Sequence, residues 1–289
     1  MRNWVAAPFI VAIAVLALRS TAEGQAGRTP QPARGAREGF ISEGVPRMPD
    51  PPGPAPKRDL SGAWVGPATT NKPDPVPPMT PAGEAQFKLR KAYGAATSPA
   101  TAGGQPGASN DPFITCDPLG FPRNLLAHAI TSRGGTLFAS APNRIIIAHE
   151  QQRVWREIWM DGRSLPTAVD VRGAPESRYY GYSVGHWEND TTLVIDTTGV
   201  DERPWLDEVG HPRSSSAHIQ ERYTRLDQYN LQLTVTVDDP KFYTKPWTFM
   251  RANFYWMKAQ EFAETFCVPS EALEYRDTLA APSGIGIVR

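Results

Sequence analysis

The densest group of residues able to carry out acid/base chemistry lies between positions 201 and 222. It contains Asp207, His211, His218 and Glu221, the last three spaced His-x6-His-x2-Glu. Histidine titrates near neutral pH, and burial can move the pKa of a carboxyl group towards the same range, so such a set can supply a general acid and a general base. We predict that these four side chains converge, with Arg163 nearby, at one open end of the domain.

The segment around Glu221 has the pattern of a strand, which decides where its side chains point. In a strand Glu221 lies on the same face as Ile219 and Tyr223, whereas His218 points the opposite way. For the His218 side chain to face inward, the strand needs a bulge near Ala217. An unpaired carboxylate on an apolar face is costly, so we expect a cation such as Arg163, a ligand or water beside Glu221. A structural Glu–Arg pair and a functional carboxylate both remain open.

Metal and nucleotide chemistry have weaker support. His211, His218 and Glu221 are of the residue types that bind transition metals, but strand geometry separates them, and we predict no metal and no cofactor. The sequence has no G-x-S-x-G, P-loop, G-x-G-x-x-G or H-E-x-x-H motif. The usual serine hydrolase elbow, nucleotide use and zincin proteolysis are therefore not indicated.

A second set of residues has the types expected of a ligand-binding cleft. Asp161-Gly162 is a hairpin-turn signal, and the Arg163 that follows it can bind a carboxylate or a sugar hydroxyl group at a barrel mouth. The segment 238–247 carries two aromatic rings and two lysines and either plugs the barrel end or contributes to a cleft. The predicted substrate-binding residues are Arg163, Asp161, Trp187, Trp205, Tyr243 and Trp247.

The segment 154–161 alternates in an unusual way. Trp155 and Trp159 share one side with Glu157 and Asp161. A strand with aromatic rings and carboxylates on one face often lines a cavity, but the same pattern fits aromatic rings that lie over charged side chains on an outer surface. Both interpretations remain open.

Short β-rich runs joined by turn residues must position these side chains. Such runs indicate antiparallel hairpins in sequence. We predict a mostly β fold, an antiparallel meander that closes into a lipocalin-like barrel or curled sheet, with a two-sheet sandwich as the alternative. The predicted strands are 137–140, 144–149, 154–160, 179–188, 192–196, 218–226, 230–238, 247–257 and 261–268.

One short N-terminal helix precedes the strands. Thr80 is suited to the N-cap, Pro81 to the first helical position and Glu84 to the first turn, which predicts a helix over 80–93. Folding is expected to begin near residue 59, with Leu60 and Trp64 pointing inward.

The N-terminus predicts export. Arg2 and the apolar run Val5–Leu18 are followed by small residues that suit cleavage after Ala22, and the run is too short for a comfortable membrane span. Residues 1–22 are the predicted signal peptide, and the Pro/Gly-rich residues 23–57 a disordered tether. Residues 58–276 are the predicted single β domain, and 277–289 a flexible tail. We expect a periplasmic or secreted protein without a stable membrane span.

Two cysteines occur in the chain, Cys116 and Cys267. In an oxidising compartment a lone pair of cysteines usually forms a disulfide. We predict that this bond joins the start of the β domain to its last strand. The competing interpretation is a thiol nucleophile.

Several long segments resemble a family of exported proteins from acidobacteria and other soil and aquatic bacteria. The similarity extends over about residues 59–272, and the resemblance implies no particular activity. The family often has a histidine at the place of Arg213. The matching segments are CDPLGFPR (116–123), IWMDGRSLP (158–166), YGYSVGHWENDTTLVIDTTGVDERPWLDEVGHP (180–212), HIQERYTRLD (218–227) and VDDPKFYTKPW (237–247).

The charge balance and the polar cluster lead to a functional expectation. Lys plus Arg equals Asp plus Glu at 30 each, so no net field favours nucleic acid. We predict an exported enzyme, a lyase, isomerase or hydrolase, that acts by acid/base chemistry on a small organic or carbohydrate-derived molecule. The alternative is a lipocalin-like binding protein for a hydrophobic small molecule. A structural envelope module remains a third interpretation.

Overall fold

Ten strands form one sheet in the computed structural model. It describes residues 52–66, 70–71, 74–92, 109–126, 135–167, 176–256, 262, 267–275 and 278. These residues belong to one compact unit, 45–289. The strands are β1 (Gly62–Val65), β2 (Thr70–Asn71), β3 (Gly135–Ala141), β4 (Arg144–His149), β5 (Val154–Trp159), β6 (Tyr182–Trp187), β7 (Thr192–Thr198), β8 (His218–Arg225), β9 (Asn230–Asp238) and β10 (Trp247–Trp256).

The sheet closes into a barrel, as predicted, and not into a two-sheet sandwich. Consecutive strands pair from β3 to β10, and β1 pairs with both β3 and β10. Nine strands of the described chain therefore form the closed ring. The short strand β2 lies outside the ring and pairs with β10. Closure gives every strand of the ring a partner on both sides, although the β5–β6 and β1–β10 pairings have only two residue pairs each.

One pair of strands departs from the predicted antiparallel meander. β5 and β6 are parallel, with only two residue pairs in register, Ile158 with Ser183 and Trp159 with Val184. A ring with an odd number of strands cannot alternate direction all the way round, so one parallel pair is required. The predicted hairpin at Asp161-Gly162 is therefore wrong: the chain bends there but crosses over before β6, as parallel pairing demands.

Alternating apolar residues build the barrel interior. Along β9, Leu231, Leu233, Val235 and Val237 are buried while the residues between them are more exposed, which is the alternation of a strand with one face in a core. Large side chains fill the interior, and the fully buried ones include Trp64, Phe138, Ile147, Ile158, Tyr223 and Phe254. Leu60 and Trp64 are buried, as predicted.

Short helices of the described residues lie outside the strands of the barrel. α1 (Pro81–Lys88) begins at the predicted N-cap, where the Thr80 hydroxyl accepts a hydrogen bond from the Gly83 N–H at 3.1 Å. It ends before the predicted limit of residue 93. α2 (Pro269–Tyr275) was not predicted. No helix of the described residues has the length and apolar composition needed to cross a membrane.

The predicted last strand, 261–268, is wrong in its described part. Phe262, Cys267 and Val268 are not in a strand. β10 pairs with β9 on one side and with β1 and β2 on the other.

The predicted disulfide is present, but its position differs from the prediction. Cys116 and Cys267 are bonded, with their Cα atoms 5.4 Å apart. The bond joins the end of the 3₁₀ turn Pro112–Thr115 to the segment just before α2, not to a strand.

The predicted signal peptide lies outside the described residues, as do the tether up to residue 51 and the C-terminal tail apart from Thr278. The described end of the tether contacts the barrel. Gly53 and Gln228 exchange hydrogen bonds of 3.2 and 2.9 Å, and the Lys57 ammonium lies 2.9 Å from Asp190.

Candidate functional site

The loop between β7 and β8 brings Asp207 and His211 together. One oxygen of Asp207, Oδ1, accepts hydrogen bonds from the backbone N–H groups of Val209, Gly210 and His211. The other, Oδ2, lies 2.5 Å from Nδ1 of the His211 ring. Burial alone would raise the pKa of Asp207, but these hydrogen bonds and the nearby imidazole outweigh it and hold that pKa below its usual value.

Aromatic rings hold the His211 imidazole in place. The ring of Phe87 on α1 stacks on it with centroids 5.0 Å apart, and Trp247 of β10 meets it edge-on at 5.7 Å. Its side chain is only 12% exposed. Among the described residues Nε2 has no hydrogen-bond partner, and it is not one of the fully buried polar atoms. The arrangement is that of an imidazole oriented by a carboxylate, with its second nitrogen left accessible.

Glu221 lies elsewhere, inside the barrel. Its carboxylate accepts hydrogen bonds from Arg156 Nη1 and Nη2 at 3.0 and 2.7 Å and from the Tyr223 hydroxyl at 2.9 Å. The Glu221 and Arg156 side chains are 0% and 2% exposed. The expectation of a compensating cation is confirmed, but the cation is Arg156 on β5 and not Arg163.

The buried pair belongs to a larger polar network. Arg156 Nη2 also donates to the hydroxyls of Ser183 and Thr197 at 3.1 and 3.2 Å, and these two hydroxyls lie 2.8 Å apart. The guanidinium lies 3.8 Å from the centre of the Phe121 ring. Burial, together with the negative charge of Glu221, raises the pKa of Tyr223.

His218 lies on the outer face of β8, opposite Glu221. Its Nε2 atom is 2.9 Å from Oδ1 of Asp196 on β7, which also accepts a hydrogen bond from Gln220. The pairing of β8 with β7 and β9 is regular from His218 onward, so no bulge turns this side chain inward. The hydrogen bond and charge of Asp196 raise the pKa of His218.

The predicted convergence of these residues is therefore wrong. Asp207 contacts His211, whereas His218 contacts Asp196 and Glu221 contacts Arg156, and no contact among the described residues links the three groups. In the described part of the chain no three metal-ligating side chains come together. The alternation of side chains along β8 explains the separation, because it sends His218 and Glu221 to opposite faces.

The predicted binding residues come together only in part. Trp247 contacts both Tyr243 and His211, with ring centroids 5.7 Å apart in each case. Arg163 pairs with Asp161 at 2.6 Å and donates to the Tyr182 hydroxyl at 3.0 Å. Hydrogen bonds from Arg163 lower the pKa of Asp161. Four other members are buried or partly buried and pack against the core or the barrel end: Trp187, Trp205, Tyr243 and Trp247.

A cleft opens beside β5 and β6, where the parallel pairing is short. It encloses about 370 Å³. The β5–β6 cleft is lined by both strands and by the loop that precedes β6. Its lining residues are Pro118, Trp155, Arg156, Glu157, Trp159, Arg178, Tyr179, Tyr180, Gly181, Tyr182 and Ser183.

Aromatic rings of different exposure border this cleft. Trp155 is 67% exposed, the largest exposure among the bulky apolar side chains of the described residues. Trp159 is less open, since the guanidinium groups of Arg144 and Arg163 lie 4.2 and 3.6 Å from its ring centre. Both open interpretations of this strand hold in part, because Trp155 and Trp159 are on the outer face of β5 and also line a cavity.

A fully buried arginine binds the backbone of the segments next to the cleft. Arg213 donates to the backbone carbonyls of Asp201 at 2.8 Å, of Tyr179 at 3.1 Å and of Phe121. Burial lowers its pKa to about 10. Because Tyr179 lines the cleft, Arg213 fixes the backbone that positions this ring.

Sequence reasoning missed the residues Arg178, Tyr179 and Tyr180. They lie just before β6, inside a range predicted in part as strand, and nothing in their spacing indicated which part of the barrel they would face. The aromatic run 179–182 was the available signal, but it became meaningful only once Trp155 and Trp159 lay beside it.

Comparison with known proteins gives no family for this chain. No protein-family model matches it, and no curated protein sequence matches it.

Proposed function

We propose that this protein binds a small carbohydrate-derived molecule in the β5–β6 cleft. The observation that carries the proposal is an exposed tryptophan, Trp155, at the edge of a cavity of about 370 Å³ that polar and aromatic groups line. Cavities of this size suit small molecules. Sugar rings have apolar faces that stack on aromatic side chains and hydroxyl groups that need charged or hydroxyl partners.

The cleft is a better candidate than the barrel interior that a lipocalin-like carrier would use. Large side chains such as Trp64, Phe138 and Phe254 occupy the interior, and the Arg156–Glu221 pair adds charge there. A site for a hydrophobic ligand is expected to be mainly apolar. We therefore assign ligand binding to the outer side of β5.

The disulfide supports the predicted compartment. Disulfides persist where the environment is oxidising, so a bonded Cys116–Cys267 pair fits a protein outside the cytoplasm. We propose a periplasmic or secreted location, in line with the predicted signal peptide.

Calorimetric titration of the full chain with a panel of neutral and acidic oligosaccharides tests the binding proposal. We expect at least one saccharide to bind, and Trp155→Ala to weaken its binding about 10-fold or more, since stacking on an aromatic ring contributes on the order of 1–3 kcal/mol. Tyr255→Ala is the matched control, because Tyr255 is 48% exposed but lies on β10. Equal losses in the two variants, or no binding by any member of the panel, would contradict the proposal.

A second candidate function is acid/base catalysis by the Asp207–His211 pair, favoured by the 2.5 Å contact between them. With Nδ1–H donated to Asp207, Nε2 of His211 carries the lone pair of a general base. Incubation with the same panel, followed by mass spectrometry, detects any lyase or hydrolase product.

His211→Gln should abolish turnover in that case. Asp207→Asn should reduce it strongly, because an amide cannot hold the imidazole in the same tautomer. Turnover that persists in His211→Gln would rule out this assignment.

A further inference from the structure

Arginines surround the β5–β6 cleft, and most of them are already paired with a carboxylate of the protein. Arg156 pairs with Glu221 at 2.7 Å and Arg163 with Asp161 at 2.6 Å. Arg203, whose guanidinium lies 4.6 Å from the centre of the Tyr179 ring, pairs with Asp201 at 2.8 Å. The carboxylate partner compensates the positive charge of each of these guanidinium groups.

Arg178 differs from these neighbours. It lines the cleft and is exposed, and among the described residues its guanidinium makes no ion pair or hydrogen bond. Its backbone, by contrast, is well fixed. The N–H donates to the Gly199 carbonyl at 2.9 Å, and its own carbonyl accepts from Gly181 and Asp201 at 3.1 and 2.9 Å. The fixed backbone of Arg178 thus holds an unpaired guanidinium group at the cleft.

The acidic side chain of the cleft does not neutralise this cation. Glu157 is the acidic residue in the lining, and it faces Arg144, whose Nη1 lies 3.4 Å from its carboxylate. The charge that Arg178 brings to the cleft is therefore available to a ligand. A planar guanidinium binds a carboxylate through two parallel hydrogen bonds, which gives both charge and geometric selectivity.

We propose that the ligand of the β5–β6 cleft is an acidic saccharide whose carboxylate is bound by Arg178 while a sugar face stacks on Trp155. This inference rests on the proposed binding function and specifies its ligand class. The sugar ring supplies the apolar face that an exposed tryptophan needs, and the uronate carboxylate supplies the partner that Arg178 lacks. The Tyr179 and Tyr182 side chains line the same cleft.

Paired probes test the role of the charge. Trigalacturonate and its fully methyl-esterified form have the same rings, but only the first is charged. We expect the wild-type protein to bind trigalacturonate about 10-fold or more tightly than the ester, as measured by calorimetry, because hydrogen bonds to charged groups contribute about 1.5–3 kcal/mol. The preference should shrink with added salt.

Arg178→Gln should remove this preference, because it should weaken binding of trigalacturonate far more than binding of the ester. Arg178→Lys should restore part of the preference for the acid, since lysine keeps the positive charge but lacks the planar guanidinium that forms two parallel hydrogen bonds. Lys88→Gln removes the same charge from an exposed position on α1 and should change neither affinity. Thermal melting of each variant checks that it is folded.

Four outcomes would overturn the inference. Equal affinity of the wild type for the acid and the ester, or wild-type selectivity in Arg178→Gln, would remove the carboxylate anchor while leaving the binding function in place. If benzoate binds through Arg178 and trigalacturonate does not bind, the ligand is an aromatic acid and not an acidic saccharide. Failure of every saccharide to bind would remove the proposed function as well.

Discussion

At the residue scale, the two arginine–glutamate pairs of β8 differ mainly in their surroundings. Glu221 points inward and pairs with Arg156, and both side chains are at most 2% exposed. Arg222 points outward and pairs with Glu188, with side-chain exposures of 40% and 44%. Water screens the second pair, whereas removing either partner of the first leaves a buried charge unpaired.

We predict that Glu221→Gln lowers the free energy of unfolding by about 3–5 kcal/mol, because it leaves the Arg156 charge without a carboxylate inside the barrel. Urea unfolding followed by circular dichroism measures the loss. The double variant Arg156→Met/Glu221→Leu should recover most of it, since an apolar pair of similar volume needs no compensating charge. Glu188→Gln is the exposed control and should change little. A stable Glu221→Gln protein would show that the network is not a structural element.

The His218–Asp196 pair predicts a pH effect on stability. Asp196 raises the pKa of His218 in the folded protein, so the contribution of the pair is fully present below the unfolded pKa of about 6.5 and is lost as pH rises through the folded pKa. The pKa of Asp196 is lowered by the same contact, and its contribution is lost only as pH falls through that acidic range.

Melting temperatures at pH 5.5 and 8.5 measure this effect. His218→Gln should lower stability at pH 5.5 more than at pH 8.5. Asp196→Asn should remove the same pH-dependent difference. Equal losses for His218→Gln at the two pH values would contradict the assigned pair.

At the scale of elements, the parallel β5–β6 pair creates the candidate site. Only two residue pairs are in register, so the strands diverge and the aromatic side chains of β5 and of the loop before β6 line the resulting gap. Other strand pairs of the ring are longer, such as β8 with β9 from His218 to Arg225, although β1 and β10 also have only two residue pairs in register. The cleft therefore follows from the closure of an odd-membered ring.

α1 is attached to the barrel end through its N-cap. The Thr80 hydroxyl accepts from the Gly83 N–H and donates to the Lys241 carbonyl at 2.6 Å, while Phe87 of the same helix stacks on His211. The helix thus positions the aromatic ring that lies on one side of the imidazole.

We predict that Thr80→Ala lowers the free energy of unfolding by about 1 kcal/mol, the usual cost of losing an N-cap hydroxyl. Urea unfolding provides the measurement. Thr80→Ser keeps both hydrogen bonds and should stay close to the wild type. If the serine and alanine variants lose equal stability, the methyl group of Thr80 and not its hydroxyl is responsible.

At the scale of the whole molecule, two closures hold the domain together. Pairing of β1 with β10 closes the ring, and the disulfide links the segments at Cys116 and Cys267, which are 151 residues apart. A crosslink across so long a stretch restricts the unfolded chain considerably.

We predict that replacing both cysteines by alanine lowers the free energy of unfolding by about 2–5 kcal/mol. Reduction of the wild type should produce a loss of similar size, and it should have no effect on the double variant. Peptide mapping without reduction should recover one crosslinked pair, and two free thiols would contradict it.

Much of the fold was predictable from local signals. The turn residues between β-rich runs placed β4 and β9 at their observed limits, and the residues Thr80-Pro81 placed the start of α1. These signals work because turn residues end a strand and a helix start needs a cap. Cysteine pairing followed in the same way from a count of two.

The candidate site was only partly predictable, because the tertiary structure determines which side chains form ion pairs and hydrogen bonds with each other. The sequence indicated that Glu221 points inward and needs a cation, but local signals cannot tell Arg163 from Arg156 as its partner. The predicted acid/base cluster separated for the same reason: proximity in sequence brought together only Asp207 and His211, which share one loop.

The sequence by itself determined which residues alternate into the core, where the first helix begins and that the buried glutamate requires compensation, since all three depend on neighbours along the chain. Only the tertiary structure decided that β5 and β6 run parallel and diverge, because that follows from how many strands close the ring. The same closure brings Trp155 and Arg178 to one cleft from separate segments of the chain.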